Sequence, residues 1–527
     1  MFARTINTED QAAAGLSEPA AEARTGPVAG TSAAGARLPL RLRARSRRGR
    51  AAPANPANAG RIALAGSPAD LLRREAGRTA RKPGLLAEAG QIALTWATDR
   101  HLSRTTTCGF TLALAGCAAA WFSAGSRTDI ARGVAALLTG YLAVKAGQQL
   151  PVSYRRARSS GGQARGRPVP AEADPAVPAL TVRADWLATL ASCLAECVVY
   201  AGLAAGAAAE RWSRAWPIAI AVVGLVGVRS LVSACSIPPG FGEHPEGGAI
   251  RGVCAAAATM PLGGRILLIG LVAPVWGAKM ALLALLAWAS ASIAYGLGGR
   301  ARPGIIDDDG TQSPGQGSRL VRLRDDGALA RALGVLVRGN LLPLPPALLG
   351  LAAISALALL GLHGLPGVLL IAPAVVMLLA APGSAHPHTG RFDWLVPALL
   401  LGTQILYLTA IGRGVGVPGP VIFALAAALL LRYADLAFPG RPVLLARARP
   451  AEQSRGELGT AVGWEGRLLI AGVAAALGIA TFAYLALTVY FGFLICAKVV
   501  TSFVARQEEA TRDRPGDGSR RKPSAAS

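Results

Sequence analysis

The chain has 527 residues, 52% of them hydrophobic and only 5% aromatic, with a mean hydropathy of +0.41 and a net charge of +24. So much Ala, Leu, Val and Gly in a chain of this length excludes a soluble globular protein. The positive charge lies between apolar runs and at the two ends, as the positive-inside rule distributes it, which excludes nucleic acid as the partner.

Residues 1–105 are rich in Ala, Gly, Pro and Arg, lack a sustained apolar stripe and read as a disordered basic region. No apolar h-region follows Met1, so no signal peptide is expected. The Arg41–Arg50 run reads either as a solvated tail or as a contact for anionic lipid headgroups. A short surface helix is expected around Leu85–Thr98.

Apolar runs then recur at lengths that suit a bilayer core, which needs roughly 20 helical residues per crossing. Six fall at about 107–124, 130–147, 186–209, 215–235, 265–276 and 279–297. A charged connector at 299–338 follows, with Asp307-Asp308-Asp309 in a Gly/Ser-rich stretch. Six more runs fall at about 343–362, 365–381, 394–411, 418–432, 467–481 and 482–500, the last two divided at Thr481-Phe482. The expected fold class is all-α: a polytopic transmembrane helical protein with about 12 spans in two groups of six. The expected domains are a six-span unit at 106–298, a cytoplasmic linker at 299–338, a second six-span unit at 339–503 and a disordered tail at 504–527. Arginine concentrates in the long connectors, among them Arg155, Arg156 and Arg158, and Arg319, Arg322 and Arg324. Placing these in the cytoplasm puts both termini there, in a bacterial plasma membrane.

Two charges lie inside spans. Glu196 is ~15 Å into the third and Arg229 ~9 Å into the fourth, at 1.5 Å per residue. A lone charge at bilayer centre costs about 2.5–3.5 kcal/mol, so an ion pair between these two is expected. Ala188, Ser192, Glu196 and Tyr200 recur every four residues and share one helix face. That face reads either as the lining of a polar cavity or as part of a structural Glu–Arg clamp, with Arg229 snorkelling to the interface as the other structural reading.

Elsewhere the chemistry is sparse. Seven cysteines form no C-x-x-C pair and read as small core residues. His386-x-His388, with Arg391 and Asp393, has the residue types of a zinc or phosphate site, yet it reads first as a solvated turn. Arg432, Tyr433 and Asp435, with Asp393, Glu465 and Arg467, frame a second polar site or simply cap helix ends. No metal or cofactor is expected.

The order of spans resembles that of the CDP-alcohol phosphatidyltransferases, whose motif is D-G-x2-A-R followed by G-x3-D-x3-D. Its halves close the second span and open the third, and its carboxylates gather divalent metal around a CDP-linked donor. Here the first half reads Lys145-Ala146-Gly147-Gln148-Gln149-Leu150-Pro151, where only Gly147 matches. In the second half Ala188 and Ser192 stand where aspartates are required. The run Glu196-Cys197-Val198-Val199-Tyr200, Arg229 and Pro261-Leu262-Gly263-Gly264-Arg265 resemble the actinobacterial branch, in which Gly264 would be Glu. Asp326-Gly327-Ala328-Leu329-Ala330-Arg331 also satisfies D-G-x2-A-R, but Pro343 and Ala347 stand where its aspartates would follow. Over about 320–500, Arg324-Asp325-Asp326-Gly327, Gly390-Arg391-Phe392-Asp393-Trp394 and Gly463-Trp464-Glu465-Gly466-Arg467 resemble an uncharacterised multi-span domain fused behind such enzymes.

The resemblance implies a catalytically degenerate relative acting in or beside phospholipid or cell-envelope metabolism. Glu196, Tyr200, Arg229 and Arg265 are its candidate polar cavity, and Ala146, Gly147, Ala188 and Ser192 its degenerate positions. Membrane lipids are the expected partners and a lipid-synthesis enzyme is a candidate one. Two alternatives stand beside it: an active transferase using Glu196 and Asp185, and a lipid or small-molecule transporter.

Overall fold

The computed structural model describes residues 104–163, 176–235, 261–300, 316–337, 342–360, 367–386, 392–438 and 462–512. The N-terminal region, the surface helix expected near Leu85, Asp307–Asp309 and residues 513–527 lie outside these. Among the described residues every regular element is helical.

Four elements build the first half: α1 (Arg104–Ala124), α2 (Arg127–Gln163), α3 (Ala176–Ala209) and α4 (Ala215–Ala234). A fifth, α5 (Leu262–Arg300), contains Pro274 and breaks at Gly277, whose φ of 84° only glycine adopts freely. The chain doubles back there, because the Trp288 indole lies against Gly264, where a Cβ would come within 2.7 Å of it. The two expected spans at 265–276 and 279–297 are thus the outgoing and return arms of one hairpin. The outgoing arm, Leu262 to Trp276, is only about 22 Å long.

The segment expected as linker is partly folded. It forms α6 (Gln316–Leu323) and α7 (Ala328–Leu336), with Leu320 and Leu323 buried. The second half continues with α8 (Leu344–Leu360), α9 (Gly367–Leu378), 3-10 turns at Ala381–Ala385 and Asp393–Leu395, α10 (Val396–Gly414), α11 (Gly419–Ala437), α12 (Trp464–Ala476) and α13 (Ala480–Arg512). The expected division at Thr481-Phe482 is displaced to Gly478. This residue takes φ 74° and closes α12, its N–H donating to Ala475 O at 3.2 Å while the Ile479 N–H donates to Ala474 O at 2.8 Å. This reciprocal pair is the usual glycine stop of a helix. At the other end α13 continues to Arg512, past the expected start of the tail at 504.

Among the described residues seven helices are long and apolar enough to cross a membrane: Thr106–Ala124, Val182–Ala209, Ala215–Ala234, Leu262–Leu297, Asp393–Gly414, Gly419–Ala437 and Ala480–Val504. One of these is the hairpin. Three expected spans, at 343–362, 365–381 and 467–481, are instead the shorter helices α8, α9 and α12 of 17, 12 and 13 residues. Each falls below the roughly 20 residues of a straight crossing. The fold is therefore a polytopic helical bundle, with the dozen crossings not matched by a dozen long helices among the described residues.

The core is made by close backbone approach, since helices in lipid associate through small residues. α4 lies centrally, against α3, α5, α10 and α11. Its Gly224 receives Ile405 of α10, and its Gly227 receives Leu401 of α10 and Leu430 of α11. α3 meets α1 as closely: a Cβ on Gly206 would lie 2.2 Å from the Phe122 carbonyl oxygen, and one on Gly202 would lie 2.5 Å from Ala119 Cα. Gly206→Ala should therefore lower the thermal midpoint of the protein in detergent, costing about 1–3 kcal/mol through overpacking. Gly109→Ala, with nothing within 4 Å, should leave the midpoint unchanged or raise it.

Candidate functional site

Helices α1, α2, α3 and the outgoing arm of α5 line a cleft of about 490 Å³ when the solvent at its open mouth is counted, of which about 40 Å³ is interior space. Its walls are largely apolar, with Ala115 from α1, Leu137 from α2, Val199 from α3 and Ile266 and Ile269 from α5. Its polar groups are Thr111, Tyr141, Ser192, Glu196, Tyr200 and Arg265. Three members of the expected helix face, Ser192, Glu196 and Tyr200, thus reach the cavity, while Ala188 is not in its lining. Ala146 and Gly147 fall within α2, next along the chain from the lining residue Val144.

The Glu196 carboxylate accepts a hydrogen bond from Arg265 Nη1, and both side chains are largely buried. The expected pair of Glu196 with Arg229 does not form. Arg229 donates instead from Nε to Ser292 Oγ and from Nη1 to Ser233 Oγ, each at 2.9 Å. The hairpin explains this exchange. Its outgoing arm brings Arg265 to Glu196, while its return arm brings Ser292 to Arg229. One buried donor remains at the cavity without a hydrogen-bond partner, Arg265 Nε, and the Tyr200 hydroxyl lies beside Glu196 and Arg265.

A second polar assembly lies in the other half. Asp325, in the turn between α6 and α7, accepts from Arg432 Nη2 at 3.0 Å and from Arg467 Nη2 at 2.7 Å. Both arginines are buried, at 1% and 0% exposure. The Arg467 guanidinium also stacks 5.1 Å from the Phe491 ring centre and 6.0 Å from that of Tyr433. Asp435 faces Arg432 at 3.7 Å, pairs with Lys498, and accepts from the Trp186 indole N–H of α3 at 3.0 Å. Burial alone would raise the pKa of Asp325, but the adjoining Arg432 and Arg467 outweigh it and hold the carboxyl below the ordinary 3.8.

The residues beside Asp325 clamp the remaining pieces. Arg324 donates to Gly383 O at 2.8 Å and Ala380 O at 3.1 Å, satisfying carbonyls that follow α9, and pairs with Asp326 at 2.9 Å. Asp326 accepts from Trp464 Nε1 at 2.7 Å. Glu465 accepts from the Gly327 and Ala330 N–H groups at 3.2 and 3.1 Å, so α12 supplies the N-terminal cap of α7. Gly327 and Gly463 touch through their backbones, leaving no room for a Cβ on either. The D-G-x2-A-R match at Asp326–Arg331 is accordingly a helix start capped from α12.

Of the expected second polar site, the structure joins Arg432, Asp435 and Arg467. Glu465 serves the helix cap instead, and Asp393 lies 3.9 Å from His386. Arg391 and His388 are outside the described residues. Asp325, Lys498 and Trp186 were not singled out as site residues, since nothing local marks partners so far apart along the chain. Among the described residues no three His, Cys, Asp or Glu side chains are grouped to hold a metal ion.

Fold and sites together define an integral membrane protein of the polytopic helical class with a polar cavity in one half and a buried ionic cluster in the other. Residues 315–519 match a family of unknown function (DUF5941). No curated protein and no solved structure matches the chain. Every charged member of the ionic cluster falls within the matched residues, whereas Trp186 and the whole cavity fall outside them.

Asp325→Asn should destabilise the protein by about 3–5 kcal/mol, because two buried guanidiniums lose their shared counter-charge. The contribution of Asp325 is complete at neutral pH and is lost as pH falls through its lowered pKa. Unfolding midpoints across acid pH should show this loss in the wild type and not in the variant.

Proposed function

We propose that this membrane protein holds an amphiphilic ligand in the cavity of its first half and performs no metal-dependent phosphotransfer. On this reading residues 106–298 are a catalytically degenerate relative of the CDP-alcohol phosphatidyltransferases. The protein works in or beside phospholipid or cell-envelope metabolism of a bacterial plasma membrane. Membrane lipids are its ligands, and a lipid-synthesis enzyme is a candidate partner.

The observation that carries this reading is the state of Glu196. It is the one carboxylate among the described lining residues, and it is paired with Arg265. Metal-assisted transfer from a CDP-linked donor needs several carboxylates converging on divalent cations. Position 264, where the resemblance calls for another acid, is filled by the Trp288 ring, which leaves no space for a side chain. An active site built on Glu196 and Asp185 would need to join groups eleven residues apart on α3, a rise of about 16 Å. A transport path lined by Glu196 and Arg229 also lacks support, since Arg229 is not in the cavity lining.

Purified protein given CDP-diacylglycerol, an alcohol acceptor and magnesium should release no CMP above a control without protein. Magnesium-dependent CMP release that Glu196→Gln abolishes would overturn the reading.

A further inference from the structure

We propose that the cavity takes a lipid with an uncharged, hydroxyl-bearing head, a diacylglycerol or a long-chain alcohol, and discriminates against phospholipids. This inference rests on the reading that the cavity holds a lipid and names its class.

The walls set one requirement. Ala115, Leu137, Val199, Ile266 and Ile269 offer nothing to a polar chain and suit an acyl or alkyl tail. The polar end sets the others. Among the described residues the charges in the lining are Glu196 and Arg265, which pair and sum to zero. Lys145 lies exposed, with its ammonium 5.7 Å from the Tyr141 ring centre, and is not in the lining. A phosphate brought into this space would face the Glu196 carboxylate where the low dielectric magnifies repulsion, with no net positive charge to offset it.

The unmet hydrogen bond points the same way. Arg265 Nε–H is a buried donor without a partner, an arrangement that costs free energy unless a ligand or water supplies an acceptor, and the Tyr200 hydroxyl beside it faces both Glu196 and Arg265. Tyr200 itself is 1% exposed and lines the cavity. A lipid hydroxyl both accepts and donates, so it can bridge the two side chains, accepting a hydrogen bond from Tyr200 and donating one to Glu196. An ester carbonyl beside it can accept from Arg265 Nε. A phosphodiester accepts only, and leaves the Glu196 oxygens facing its own.

The test uses the full-length protein in nanodiscs with a photoreactive diacylglycerol, its crosslinks mapped by peptide and competed by diolein, phosphatidate or CDP-diacylglycerol. Labelling should map to α1, α3 and the outgoing arm of α5, and diolein should compete at least about tenfold better than either anionic lipid. Glu196→Gln leaves a net positive cavity and should reverse that order toward phosphatidate. Tyr200→Phe, which keeps the ring packed, should weaken diolein several-fold while the folded protein keeps its thermal midpoint. Anionic lipids competing as well as diolein in the wild type, or an unchanged order in Glu196→Gln, would overturn the head-group assignment alone. Labelling spread over the outer helices and competed by nothing would overturn the lipid-cavity reading itself.

Discussion

The carboxylate of Asp325 is shared by two buried guanidiniums that lie 107 and 142 residues further along the chain. Around it are Arg324, Arg432, Arg467 and Lys498 on one side of the charge balance and Asp325, Asp326, Asp435 and Glu465 on the other, four of each sign. Buried ions are tolerated when neutralised and hydrogen-bonded, and this cluster is neutral and largely hydrogen-bonded, with Arg467 Nη1 alone on that guanidinium left without a hydrogen bond. It fixes the α6–α7 segment onto α11 and α12, and through Arg324 onto the turn after α9. Asp325 adopts φ 52°, a backbone setting that Asp accepts more readily than most residues and that points the chain from α6 into α7. Two short helices are anchored by the cluster, α12 through Trp464, Glu465 and Arg467 and α7 through its Glu465 cap.

The two halves are joined through α3. Its Trp186 donates to Asp435 of the ionic cluster, and its Ser192, Glu196 and Tyr200 line the cavity. Trp186 and Glu196 are ten residues apart, about 15 Å along one rigid helix. The residues matched by the unknown family and the cavity outside that match are thus in mechanical contact. Central α4 adds to this, packing its glycines against α10 and α11.

Much of this was legible in the sequence where the signal is local. Apolar run length located the long helices, and the gap left between the runs at 265–276 and 279–297 fell on the hairpin turn, where Gly277 supplies the required φ. The four-residue spacing of Ser192, Glu196 and Tyr200 correctly put three groups on one face. Gly478 carried the signal for the stop of α12, and was passed over because the apolar run continues through it. The pairing of charges was not legible. Glu196 and Arg229 sit on consecutive spans, but which arginine meets the glutamate depends on which arm of the α5 hairpin packs beside which helix. Likewise the Asp326–Gly327 start of α7 looked like half a catalytic motif or a linker, because its partner Glu465 lies 138 residues from Gly327. Length alone does not fix the number of crossings, since α8, α9 and α12 are apolar but short among the described residues.

The account turns on a neutral, lipid-holding cavity standing where a metal site would be expected. A cryo-electron microscopy map of the protein in lipid nanodiscs with magnesium present tests it most directly. It should show an elongated acyl-shaped feature ending beside Tyr200, with Glu196 engaged by Arg265. An empty cavity, or Glu196 turned away from Arg265 onto a bound cation, would contradict it.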